Sequence, residues 1–176
     1  MAIAGIAVTF AFSIGWQDTL SAADLDTGYL NPSTNAADTG GDGDGFEYHP
    51  DYAYSDGSGA AESYHAYGDR HRYGGYNVSV PAGATIKGIE VRADWWVDMG
   101  WTENQLCVQL SWNGGADWTT AKCDLAFDEV WVERTVVLGS STDTWGHTWT
   151  TGELSNSNFV VRVEIWSDMG QRFRLD

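Results

Sequence analysis

At 176 residues the chain has room for one domain with a sizeable core and not for two. Lys and Arg number 9 against 25 Asp and Glu, a formal net charge of −16, which excludes docking on a phosphate backbone and fits a soluble acidic protein or one that carries cations. Ten Trp, eight Tyr and six Phe sit among 21 Gly, and short apolar or alternating runs recur between turn residues without long helical spacing; this is the pattern of an all-β sandwich.

The first strand comes early. IAVTFAFSI, residues 6–14, carries no charge and alternates large Ile6, Val8, Phe10, Phe12 and Ile14 with small Ala7, Thr9, Ala11 and Ser13. A period of two predicts an extended strand over residues 5–14, because a helix would scatter the large side chains around its surface. A membrane helix needs about 20 apolar residues, and this run ends near Trp16, before Gln17-Asp18. A secretory signal needs a basic leader that is absent here, although the remnant of one stays open as an alternative. The reading therefore sets residues 1–16 apart as an apolar strand preceding a sandwich domain over 17–176.

Residues 33–45 read as an acidic Gly/Asp-rich loop. The first Lys or Arg is Arg70, so 11 acids precede any fixed cation. Within DTGGDGDGFE (38–47), Asp38, Asp42, Asp44 and Glu47 place four carboxylates on a Gly-rich stretch able to curl around a hard cation, and Ca²⁺ is the expected ligand. The EF-hand spacing is absent. Asp51, Asp56 and Asp69 are further donors that neighbouring loops could bring in, and a solvated acidic turn is the alternative.

Further strands are expected over Glu62–Tyr67, His71–Val80 and, after the turn Pro81-Ala82-Gly83, Ile86–Val97. In the last, Ile89, Val91, Ala93, Trp95 and Val97 form an inward face, with Glu90, Arg92, Asp94, Trp96 and Asp98 outward. Asn104–Trp112 and Asp117–Leu125 form a hairpin about Asn113-Gly114-Gly115. Two registers compete there. The symmetric one sets Cys107 against Cys123 as a disulfide pair; a one-residue shift gives a better apolar face and leaves free thiols. Strands over Val130–Leu138, Phe159–Trp166 and Gln171–Leu175 complete the set.

The succession VPAGATIKGIEVRADWW (80–96), LSWNGGADWT (110–119), GSSTDTWGHTWT (139–150) and LSNSNFVVRVEI (154–165) resembles a jelly-roll-like β-sandwich domain of bacterial secreted proteins and phage structural proteins. The likeness spans roughly residues 28–176 and is most specific over 139–165. It implies a jelly-roll-like antiparallel β-sandwich, here with an extra N-terminal strand, at an extracellular, cell-surface or virion-surface location. It implies no catalytic residues. Domains of this kind run on past Leu175-Asp176 into a final strand.

An extra strand at the start and an absent one at the end suggest donor-strand exchange, in which Ile6, Val8, Phe10, Phe12 and Ile14 of one copy fill a groove in the next and build an open filament. The structural alternative is that the strand folds back into its own sandwich. The functional rival is a calcium-dependent carbohydrate-binding module whose Trp96, Trp101, Trp131 and Trp166 stack on sugar rings. His49, His65, His71 and His147 fit no zinc spacing and no nucleophile elbow is present, so no enzyme is expected. Asn77-Val78-Ser79 is a glycosylation sequon.

Overall fold

The computed structural model describes residues 6–14, 23–57, 59–64, 67–98, 103–127, 131–167 and 172–176. These form β1 (Ile6–Ile14), β2 (Ala23–Asp26), β3 (Thr34–Asp38), β4 (Ala61–Ser63), β5 (Tyr67–Gly74), β6 (Thr85–Val97), β7 (Glu103–Ser111), β8 (Lys122–Phe127), β9 (Arg134–Ser140), β10 (Val160–Ser167) and β11 (Phe173–Leu175). Short 3₁₀ turns occupy Pro50–Tyr54 and Thr151–Leu154. Two antiparallel sheets pack face to face as a β-sandwich. One runs β2-β1-β6-β11-β4 with β9 also on β6; the other runs β3-β5-β10-β7-β8. No helix among the described residues is long and apolar enough to cross a membrane.

Alternation dictates the core. Ile89, Val91, Ala93, Trp95 and Val97 of β6 are all fully buried, as are Val161, Val163 and Ile165 of β10. Phe10 of one sheet meets Phe159 at the start of β10 edge to face, with ring centroids 5.0 Å apart. Trp95 stacks on Phe173 at 4.9 Å. The stretch 139–150 closes one end of the sandwich by burying Trp145 and Trp149, the Trp145 indole donating to the Ile89 carbonyl at 2.8 Å. Asp94 keeps to the outward face with Arg92 but is not exposed there. It is buried, accepting from the Thr135 hydroxyl and pairing with Arg92 at 3.0 Å.

β1 lies within this sheet, in its own chain. It pairs with β2 on one side and β6 on the other, and Ile6, Val8, Phe10 and Phe12 belong to the core while Ile14 is half-buried. Strand β6 has two edges. Trp95 pairs with Arg134 of β9 and with Leu175 of β11, and Val91 pairs with Leu138 of β9 and with Val8 of β1. Strand β9 takes one edge, so β1 and β11 share the other. They share it end to end: Leu175 faces Trp95, the Asp176 N–H reaches the Asp94 carbonyl at 2.9 Å, and Ile6 faces Ala93. Both run antiparallel to β6, so β1 continues the line of β11 in register, with the side-chain alternation preserved.

Between β7 and β8 the symmetric register holds. Cys107 faces Cys123 and the two sulfurs are bonded. The shifted register loses although it would have paired more apolar residues, and Leu125 is left 45% exposed. The turn fixes the outcome: Asp117 N–H donates to Asn113 Oδ1 at 2.9 Å and Gly115 N–H to Ser111 Oγ at 2.8 Å. The inward polar residues of β8 also find partners, Asp124 with Arg134 at 3.0 Å and Lys122 with Asp143 at 2.8 Å. Other bounds move. The expected loop over 33–45 contains strand β3, because Thr34–Asp38 pairs with Arg70–Gly74 of β5. The strand expected over His71–Val80 ends at Gly74, and that over Val130–Leu138 begins at Arg134.

Candidate functional site

The Asp-rich stretch splits into two environments at the end of β3. Asp38 is the last residue of the strand and turns over the outer face of its sheet, where Arg72 of β5 and Arg162 of β10 converge on it, the latter at 3.2 Å. Burial pushes the Asp38 carboxyl up, but the two guanidinium hydrogen bonds and the Thr39 N–H outweigh it and hold the group at about 2. Arg162 also donates to Gln109 at 2.6 Å and lies 4.1 Å over the Trp118 ring. Asp38 is therefore a structural anion at the centre of an arginine pair. It lies apart from the cluster that Asp42 and Asp44 of the expected set form.

Beyond it the chain reverses through Gly40–Gly45, and two glycines make the reversal feasible. Gly41 has φ +58°, and a β-carbon there would lie 1.8 Å from Asp69 Oδ1. Gly45 has φ +70°, with the Arg70 carbonyl and the His71 ring in the way of any side chain. The reversal lays Asp42 and Asp44 against Asp69 of β5. One carboxylate oxygen from each of the three lies within 4.8 Å of the others. Asp42 N–H donates to Asp69 Oδ1 at 3.2 Å, and Ser63 Oγ donates to Asp69 Oδ2 at 2.7 Å. The hydrogen bond to the Asp42 side chain raises the Asp44 pKa to about 6, and desolvation and the charges of Glu47, Asp42 and Asp69 push in the same direction. Glu47 is adjacent but engaged, its carboxylate accepting the Tyr64 N–H at 3.0 Å. Asp51 and Asp56 do not join the trio. Asp69, noted from sequence only as one of several distant acids, is the buried member; nothing in its spacing marks it.

Directly beneath the turn, His71 is buried and neutral. Phe46 N–H donates to its Nδ1 at 3.1 Å, so Nε2 carries the hydrogen and donates to Asn35 Oδ1 at 3.0 Å. Burial lowers its pKa to about 4 against the pull of Asp38. It supports the turn through these two hydrogen bonds.

The four expected stacking tryptophans do not form one platform. Trp96 and Trp131 lie on the six-stranded sheet, with the Arg174 guanidinium 6.0 and 4.9 Å from their rings. Trp166 lies on the outer face of the other sheet, paired with Tyr67. Trp101 and His65 lie outside the described residues. In the sequon, Asn77 Oδ1 accepts from Asn156 Nδ2 at 2.8 Å, and the Asn77 side chain is exposed. No family model, curated protein or solved structure matches this chain.

Proposed function

We propose that this protein is a non-enzymatic structural subunit that assembles head to tail at an extracellular or particle surface, β1 of one copy exchanging into the seat beside β6 of the next. The observation that carries this reading is the end-to-end placement of β11 and β1 on one edge of β6. A strand continuing from Asp176 would pair next with Ala93, and Ile6 holds that place. The seat belongs to the line of β11, yet a segment from the opposite end of the chain fills it. Such a segment can come from the same copy or from a neighbour with the same contacts.

Energetics support a durable joint. Ile6, Val8, Phe10 and Phe12 are buried almost completely, and at about 2 kcal/mol each they contribute roughly 8 kcal/mol before entropy costs. Because the contacts are alike in either arrangement, connection geometry and protein concentration set the balance between closed monomer and chain. The Asp42, Asp44 and Asp69 trio fits a calcium ion in the same picture. Oxygens bound to Ca²⁺ at 2.3–2.6 Å are separated by at most about 5 Å, and one oxygen from each of the trio lies within 4.8 Å of the others.

Light scattering and negative-stain microscopy test the assembly. The full chain, concentrated and then diluted, is expected to form fibres or a ladder of oligomers. Removal of residues 1–16 is expected to leave subunits that cannot extend one another and that capture a synthetic peptide of residues 1–16. A full chain that stays monomeric at every concentration, before and after refolding at high concentration, overturns the reading.

A further inference from the structure

We infer that the outer face of the five-stranded sheet carries a binding strip for a neutral polysaccharide, built by Tyr67, Trp166, Gln105 and Leu125. Pairing places these four in one cross-strand row: Tyr67 of β5 faces Trp166 of β10, Trp166 faces Gln105 of β7, and Gln105 faces Leu125 of β8. With strands about 4.8 Å apart, the row is roughly 14 Å long. Three of its members are conspicuously open for their type, Tyr67 at 54%, Trp166 at 39% and Leu125 at 45%.

The chemistry of the row selects the ligand. Tyr67 and Trp166 lie with ring centroids 4.7 Å apart and planes tilted by 46°, a bent aromatic surface suited to the apolar faces of sugar rings. The Tyr67 hydroxyl, the Trp166 indole N–H and the Gln105 amide form no hydrogen bond with another described residue, so polar groups stand ready along the edge of the apolar strip. Rigidity comes from the adjoining row, where Arg70 and Glu164 pair at 2.9 Å and Cys107 and Cys123 are bonded. Gly68, between Tyr67 and Asp69, brings the strip close to the acidic turn: a β-carbon on it would lie 3.3 Å from Trp166 Nε1 and 3.9 Å from the Gly41 nitrogen. The exposed Asp42 and Asp44 of that turn add negative charge beside the strip. Together with a net charge of −16 they repel acidic glycans, which sets the acidic polymers apart from the neutral ones proposed.

Affinity electrophoresis in gels cast with hydroxyethylcellulose, mixed-linkage β-glucan or galactomannan, and with alginate as the acidic comparison, tests the strip. Retardation is expected in at least one neutral gel and not in alginate. Trp166→Ala is expected to weaken that retardation about tenfold or more, Gln105→Ala to weaken it less, and Trp166→Phe to retain most of it, with each fold checked by circular dichroism. Gln105→Ala keeps the test decisive if Trp166→Ala does not fold. Migration unaffected by all three neutral polymers overturns the inference. So does retention in alginate alone, or a Trp166 variant that changes particle size while leaving retardation as it was, since the strip would then cover a second copy of the chain.

Discussion

The backbone N–H of Asp176 donates to the carbonyl of Asp94 at 2.9 Å, the residue next to Ala93, which faces Ile6. Two segments from opposite ends of the chain thus read as one interrupted strand. If the seat is what matters, its occupant can be supplied covalently from the other side. A circular permutant that begins at Ala23 and places residues 6–14 directly after Asp176 is expected to fold with its β1 segment closing the seat from within. Such a chain should stay monomeric at concentrations where the natural order assembles. Scattering that finds the permutant and the natural chain equally polymeric would show that assembly uses some other surface.

The acidic turn makes a separate prediction. A carboxyl whose pKa is raised to about 6 binds its proton more readily in the folded state, so it favours folding below its ordinary value and that contribution disappears as pH rises through 6. Above pH 6 the trio carries mutual repulsion that a divalent cation would relieve. Without metal, Asp44→Asn is therefore expected to raise Tm slightly at pH 8 and to leave it unchanged at pH 4. With millimolar Ca²⁺ the order reverses, the natural chain gaining several degrees and the variant little. Thermal melts with Ca²⁺ and with EDTA that are superimposable would remove the metal from the account.

The disulfide predicts stability rather than activity. It closes a loop with a sequence separation of 16 between edge strand β8 and its neighbour. A loop of that size is worth about 3 kcal/mol in chain-entropy terms, which for a domain of this length corresponds to a Tm loss of roughly 6–12 °C on reduction. Cys107→Ser with Cys123→Ser should match the reduced protein. If reduction leaves Tm unmoved, the turn hydrogen bonds of Asn113 and Ser111 already fix the hairpin alone.

Legibility differed sharply between backbone and site. The alternation in 6–14, 86–97 and 159–166 was readable because burial on one face of a strand leaves a period of two in the sequence, and the inward-facing members are core. The hairpin register was not, since apolar pairing and cysteine symmetry pulled in opposite directions and the polar residues Asp124 and Lys122 proved to have partners in β9 and in the loop that follows it. Among the carboxylates, spacing within one loop grouped Asp42 and Asp44, which lie together, with Asp38, which lies apart from them. Its role depends on Arg72 and Arg162, which arrive from strands 34 and 124 residues away. Of the row Tyr67, Trp166, Gln105 and Leu125 the sequence marked Trp166 alone, because cross-strand neighbours are related by register and not by sequence distance.

His71 carries the last prediction, on acid stability. Its pKa is lowered from the usual 6.5 to about 4 by burial, so the unfolded chain takes up the proton first as pH falls. The stabilisation is complete above pH 6.5, declines between there and about pH 4, and amounts to on the order of 3 kcal/mol. Protonation also costs the hydrogen bond by which Phe46 N–H holds the base of the acidic turn. Asp38, held at about 2, adds a second loss only below its ordinary 3.8. Asp44 opposes the His71 loss in the window from about 6 down to 3.8, because its raised pKa favours the folded state as it protonates. Urea titrations at pH 7, 5.5 and 4.5 in an Asp44→Asn background should therefore give the steepest decline. Adding His71→Gln should lower stability at pH 7 and flatten the profile. A His71→Gln profile parallel to that of its background would place the acid sensitivity elsewhere.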